Sequence, residues 1–191
     1  MNHSNKTVCV LGASGLLGSN VLKEALARGY KVNGTLRDVN APGKATFLNA
    51  LPNAEANLRL FEAEMADKAS FDDALSNVDC VFIACLIPVY KGPTGKPARE
   101  MDDEQGYAEI IMPTVNGCLN IINAAAKQRV KNVVICSSTS STNPLAPVPI
   151  KNEIDHWSDE NEQCRAKKYT SATKTVMEKA CLLYTSDAAD E

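Results

Sequence analysis

The chain has 191 residues, 45% of them hydrophobic, and a formal net charge of −3. That length fits one domain, or one domain and part of another, with enough apolar material for a sizeable core. The near-neutral balance gives no electrostatic case for nucleic acid or an anionic membrane surface, and no stretch is long and apolar enough to span a bilayer.

The opening MNHSNK runs straight into Thr7–Leu11, so no signal peptide fits ahead of it. Thr7–Leu11 is apolar and β-branched, which predicts a buried strand. Gly12, Gly15 and Gly18 follow at once, ahead of a helical pattern through Leu22, Ala25 and Leu26. A strand, a glycine-rich turn and a helix make the first half of a dinucleotide-binding unit. Gly12 lets the chain leave the strand tightly, Gly15 lets the main chain approach a pyrophosphate, and Gly18 lets the helix sit close to the sheet. The N–H groups at the helix start face the anion. Ser14, Leu16 and Leu17 lie in the same turn and join the glycines as candidate cofactor-binding residues. The spacing G-x-x-G-x-x-G resembles the extended branch of the short-chain dehydrogenase/reductase superfamily.

Gly29 is a candidate C-cap for the first helix. Lys31–Leu36 reads as the second strand, with Arg37 at its tip. An acidic residue there accepts hydrogen bonds from the ribose hydroxyls of NAD, whereas an arginine offers a planar cation to a 2′-phosphate. Asp38 comes only after Arg37, so NADP is favoured over NAD, with Lys44 as a second positive charge. Ala41–Leu51 predicts a weak short helix between Pro42 and Pro52. Leu58–Ala63 is the third strand, and Glu64 and Met65 follow it where the adenine ring is expected. Asp67–Leu75 predicts a helix capped by Asp67 or Ser70. Cys80–Leu86 is continuously apolar, as in a central parallel strand, and its end, Ala84 to Leu86 with Cys85 between, is expected beside the cofactor.

Ile87–Asp103 reads as a loop, and a long helix is predicted from about Glu104 to Gln128, kinked or restarted at Pro113. Val130–Cys136 is the fifth strand and delivers Ser137–Thr142, then Asn143 and Pro144. A proline-rich loop, a polar acidic stretch around Trp157 and a final helix from near Lys168 complete the order. Alternating strands and helices predict an α/β fold, a doubly wound parallel sheet of the Rossmann type, with ligand at the carboxyl ends of the strands.

Seven cysteines are scattered without a C-x-x-C pair, and Cys9, Cys80, Cys85 and Cys136 sit in apolar runs. They read as small buried residues of a protein in a reducing cytoplasm. With only His3 and His156 and no ligand spacing, no metal site is expected. Asp102, Asp103 and Glu104 read as a solvated helix start, His156 has no partner for a hydrolase triad, and Trp157 reads as a packing residue.

Carbonyl reduction by a nicotinamide needs a hydride donor and a proton donor, and a tyrosine serves as the latter when a cation lowers its pKa. Strand five ends in SSTSS, and the last helix carries Tyr169 and Lys174. Here the resemblance sharpens. GASGLLGS, TLRD, FEAEMADKASFDDA, PTVNGCLNIINAA, VKNVVICSS, WSDENEQCRAKK and KTVMEKA resemble the NADP-dependent dihydroflavonol 4-reductase/cinnamoyl-CoA reductase family over nearly all of Thr7–Ala180. The resemblance implies Ser138 as catalytic serine, and Tyr169 with Lys174 as catalytic pair and cofactor contacts. It also implies Arg37 and Lys44 as the grip on the 2′-phosphate and Asn143 as a substrate contact. A small-molecule aldehyde, ketone or acyl-CoA is the implied substrate.

One departure matters. The family has Y-x-x-x-K, but YTSATK puts Tyr169 and Lys174 five apart, rotated by about 140° past one turn, so both cannot share a face of a regular helix. Keeping Lys174 in register puts Thr170 at the tyrosine position; Tyr169 serves only if it precedes the helix or the turn is irregular. The end, CLLYTSDAADE, resembles the translation of a transposase-type sequencing adapter. Residues 1–180 are therefore read as the NAD(P)-binding domain and 181–191 as a non-native tail, with a C-terminal substrate-binding part lacking. The alternatives are an NAD-dependent sugar-nucleotide epimerase or dehydratase, and a non-catalytic dinucleotide-binding module or fragment. Neither the substrate nor the oligomeric state is legible.

Overall fold

A computed structural model describes residues 5–85, 93–144, 146–152 and 154–187. The chain divides into two compact units. The first, up to Leu86 and from Asn120 to Cys136, holds the whole sheet. Its strands are β1 (Thr7–Leu11), β2 (Lys31–Leu36), β3 (Leu58–Glu62), β4 (Cys80–Ile83) and β5 (Asn132–Ile135). They lie in the order β3-β2-β1-β4-β5, and each neighbouring pair is parallel. Val8 on β1 registers with Val32 of β2 on one side and Cys80 of β4 on the other.

Parallel strands need crossover connections, so the apolar residues between them form helices. These are α1 (Leu16–Ala27), α2 (Lys44–Asn49), α3 (Ala54–Asn57) and α4 (Asp72–Leu75). Leu22 and Leu26 of α1 are fully buried with Val10 and Val32. Full burial of one such leucine contributes roughly 1.5–3 kcal/mol. Asn33 is a polar residue inside this core, and its Nδ2 donates to the Ala74 carbonyl at 2.8 Å. That bond ties β2 to α4 and removes the cost of burying an amide unsatisfied.

The expected doubly wound parallel sheet is present, with corrections at element ends. The helix predicted over 41–51 is the shorter α2, and α3, which was not predicted, follows beyond Pro52 and Asn53, the latter at φ 65°. Only the last four residues of the predicted helix 67–75 are helical. Asp67 accepts from the Ala69 N–H at 2.9 Å and Ser70 accepts from the Glu64 N–H at 3.1 Å, so these side chains hold a turn rather than cap a helix. β4 ends at Ile83, and the predicted strand end at Leu86 and the start of the following loop lie outside the described residues. β5 is an edge strand, which leaves Val134 47% exposed and Cys136 exposed rather than buried.

The second unit comprises Ile87–Leu119 and the chain from Ser137 onward. It contains a short 3-10 turn at Ala98–Glu100 and α5 (Asp103–Gly106). A π-helical stretch, Tyr107–Ile111, runs into α6 (Met112–Lys127), whose later part belongs to the first unit. The kink expected at Pro113 takes this form: the helix widens immediately before a residue that has no N–H to donate. A second 3-10 turn at Thr139–Thr142, α7 (Glu160–Arg165) and α8 (Tyr169–Asp187) follow. Among the described residues no helix is long and apolar enough to cross a membrane.

Gly18 sets how close α1 comes to the turn before it. A Cβ there would lie 2.1 Å from the Gly12 carbonyl oxygen, which is backbone and cannot swing aside. Helix propensity alone makes Gly18→Ala stabilising by about 1 kcal/mol. The clash reverses the sign, and denaturant unfolding will show a net loss of about 1–3 kcal/mol. Gly43, at φ +79° with nothing within 4 Å of its would-be Cβ, is the comparison: Gly43→Ala costs only its left-handed strain of roughly 1–2 kcal/mol. A stabilised Gly18→Ala would contradict the packing described.

Candidate functional site

The glycine turn is built from backbone. Gly12 sits at φ +78°, and a Cβ on it would meet the Cys85 Cβ at 2.6 Å. Its N–H donates to Thr35 Oγ1 at 3.3 Å, the Ala13 N–H to the Thr35 carbonyl at 2.9 Å, and the Gly15 N–H to the Gly12 carbonyl at 3.0 Å. Thr35 was not singled out from sequence; a buried hydroxyl near the tip of the neighbouring strand was the available signal. Gly15 is the N-cap of α1, and no side chain caps the helix start. Ser14 is half-buried, while Leu16 and Leu17 are exposed, Leu16 by 87%. A turn that excludes side chains, opening onto an uncapped helix start, fits a pyrophosphate group.

The neighbouring strand tips carry the other cofactor candidates. Arg37 follows β2 and is exposed, with no ion pair among the described residues. Asp38 is exposed, and its Oδ1 accepts from the Asn40 N–H at 2.8 Å. Lys44 is exposed at the first residue of α2. After β3, Glu64 is exposed and Met65 is buried, its carbonyl accepting from Asn120 Nδ2 at 3.1 Å. After β4, the Ala84 N–H extends the ladder to the Leu11 carbonyl at 3.1 Å. Cys85 is half-buried, and desolvation pushes its thiol up to about 11, so it stays protonated at neutral pH. Gly12, Gly15, Gly18, Arg37, Lys44, Glu64, Met65, Ala84 and Cys85 thus all belong to the first unit, near the carboxyl ends of β1 to β4.

The second unit carries the residues proposed for the chemistry. Ser138 is exposed and caps the 3-10 turn, its Oγ accepting from the Ser140 N–H at 3.2 Å. The hydroxyl proton remains available to a carbonyl oxygen. Asn143 is exposed; its N–H donates to Ser158 Oγ at 2.8 Å and its Oδ1 accepts from Lys151 Nζ. Lys174 is buried on α8.

Tyr169 is deeply buried. It is the first residue of α8 and only 1% exposed. Its ring lies on Gly106, where a Cβ would come within 2.3 Å of the ring carbons. Its hydroxyl donates to the Asp102 carbonyl at 2.9 Å and accepts from Lys167 Nζ at 3.2 Å. Burial holds the phenol above its ordinary value, and Lys167 opposes that only in part. At the helix start the Lys168 carbonyl accepts from both the Ser171 N–H at 2.9 Å and the Ala172 N–H at 3.0 Å, and Lys167 just before it has φ 57°. This geometry gives Tyr169 an anchoring contact rather than a hydroxyl open to a substrate. Thr170, one turn before Lys174, is exposed.

The acidic run behaves as a helix start. Asp102 caps α5 by accepting from the Gln105 N–H at 2.7 Å, and Asp103 pairs with Lys167 at 2.9 Å, which holds its carboxyl below the usual range. His156 Nδ1 accepts from the Asn152 N–H, and Lys179 Nζ lies 5.8 Å from the centre of the Trp157 ring.

A family model described as NAD(P)H-binding matches residues 12–185. The bifunctional dihydroflavonol 4-reductase/flavanone 4-reductase of Pyrus communis is 34% identical over 98% of this chain and 52% of its own length. The crystal structure of vestitone reductase from alfalfa (Medicago sativa) superposes with a TM-score of 0.71 at 28% identity, covering 95% of this chain and 53% of that one. The yeast methylglyoxal/isovaleraldehyde reductase Gre2, complexed with NADPH, shares the fold with a TM-score of 0.73 at 20% identity over 96% of this chain and 54% of its own. The chain therefore spans about half the length of the relatives it matches. It belongs to the NAD(P)H-binding short-chain dehydrogenase/reductases, in the group of dihydroflavonol 4-reductase-like proteins.

Proposed function

We propose that this chain is the cofactor-binding half of an NADPH-dependent reductase acting on an aldehyde, ketone or acyl-CoA carbonyl. The observation that carries the reading is the turn of Gly12, Gly15 and Gly18, where Cys85 leaves no room for a Cβ on Gly12 and the Gly12 carbonyl none for one on Gly18, ahead of an uncapped helix. Support for NADPH over NADH comes from the next strand: Arg37 is exposed with no ion pair among the described residues, Lys44 is exposed a few residues on, and Asp38 is bonded to its own loop. Bound NADPH supplies the hydride. Ser138 donates a hydrogen bond to the carbonyl oxygen, Asn143 contacts the substrate, and Lys174 on α8 contacts the cofactor. Tyr169 is read as the anchor of α8 on Gly106 and the Asp102 carbonyl. That burial also favours a second reading, a dinucleotide-binding module without turnover.

Two measurements test these assignments. Fluorescence titration of Arg37→Ala will show NADPH binding weakened by about tenfold or more, the loss of a charge-assisted contact, with NADH binding unchanged. Equal losses for both cofactors would contradict the 2′-phosphate assignment. Tyr169→Phe will cost about 1 kcal/mol of stability, the worth of a buried hydrogen bond, and leave NADPH affinity unchanged. In the full-length gene product it will also leave turnover in place. Turnover lost with stability intact would return the proton-donor role to Tyr169.

A further inference from the structure

Ser137–Thr142 is an unbroken run of hydroxyl side chains, yet the proposed chemistry uses only Ser138. Its neighbours converge on one group. Ser137 Oγ donates to Glu178 Oε2, and Ser141 Oγ lies 2.6 Å from the same oxygen. Ser141 Oγ also lies 2.7 Å from the Ser138 carbonyl, but a hydroxyl has one proton. The Ser141 N–H already donates to that carbonyl at 3.0 Å. An ionised carboxylate only accepts, so it directs both serine protons to itself, and bonds to a charged acceptor are roughly twice as strong as neutral ones.

The rest of the turn is fastened from the other side. Ser158 Oγ donates to the Ser140 carbonyl at 2.6 Å, Gln163 Nε2 donates to the same carbonyl at 2.9 Å, and the Ser158 N–H donates to the Ser141 carbonyl at 2.9 Å. All of these groups belong to the second unit. Glu178 lies four residues beyond Lys174, so the two occupy one face of α8.

We infer that Glu178 is a positioning residue: its carboxylate grips the serines on either side of Ser138 and holds the turn in the one pose that presents the Ser138 hydroxyl. The role in turnover rests on the reductase reading; the grip on the turn does not. The test compares Glu178→Met, which keeps length but accepts nothing, with Glu178→Gln, which keeps an acceptor. Amide hydrogen exchange over 137–143 will be about tenfold faster in Glu178→Met, intermediate in Glu178→Gln, and unchanged in the strands of the first unit. In the full-length gene product, assayed by NADPH consumption with an aldehyde, a ketone and an acyl-CoA as probes, Glu178→Met will lower kcat about tenfold. KM for NADPH will not move, and Glu178→Gln will recover most of the loss. If Glu178→Met does not fold, the exchange and kcat shifts of Glu178→Gln decide alone. Unchanged exchange overturns the inference, and so does faster exchange with unchanged kcat. A wild-type protein that turns over none of the probes, while exchange still responds to Glu178, overturns the reductase reading and leaves the grip on the turn standing.

Discussion

The structure depends on a clearance between two pieces of backbone. The start of α1 passes the Gly12 carbonyl so closely that a Cβ on Gly18 would sit 2.1 Å from it. Gly12 itself is wedged against Cys85 at a φ of +78°. Because neither position admits a side chain, the helix start packs on the turn, and the turn packs on Cys85, just past β4. Leu22 and Leu26 of the same helix are fully buried in the sheet core. The dinucleotide cradle and the hydrophobic core therefore share one constraint, and a change that relieves the crowding would alter both.

The surroundings of the cradle follow simple electrostatics. Backbone N–H groups face outward at the helix start, and Arg37 and Lys44 stand exposed past β2 and on α2. Asp38, next to Arg37 in sequence, accepts the Asn40 N–H of its own loop on one oxygen. The second unit relies instead on polar side chains that hold backbone: Asp102 and Asp159 cap α5 and α7, and Glu178 and Ser158 hold the serine turn.

Much of the first unit was legible because it follows local rules. β1 and β2 matched their predicted ends: each closes at a leucine, followed by Gly12 after β1 and Arg37 after β2. Gly29 adopts φ +80° just past the end of α1, as a helix-terminating glycine does. The elements that were misread are short ones whose limits depend on side chains bonding to backbone. Asp67 and Ser70 carried a capping signal but form a turn. α7 was not anticipated although Asp159 and Glu162 have capping-box spacing, and the Asp159 carboxylate does accept from the Asn161 and Glu162 N–H groups. Tyr169 illustrates the harder limit. The five-residue gap to Lys174 signalled trouble, but what the ring packs on, Gly106, lies too far away in sequence for any local pattern to name.

The central claim is that the uncapped start of α1 receives a dinucleotide phosphate and the tip of β2 receives the additional one. An amide-resolved NMR titration of this chain with NADPH addresses it directly. The account predicts saturable shifts at Gly15, Leu16, Leu17 and Gly18, with Arg37 and Asp38 responding to NADPH but not to NADH. Shifts confined to other residues, or none at saturating NADPH, would contradict it.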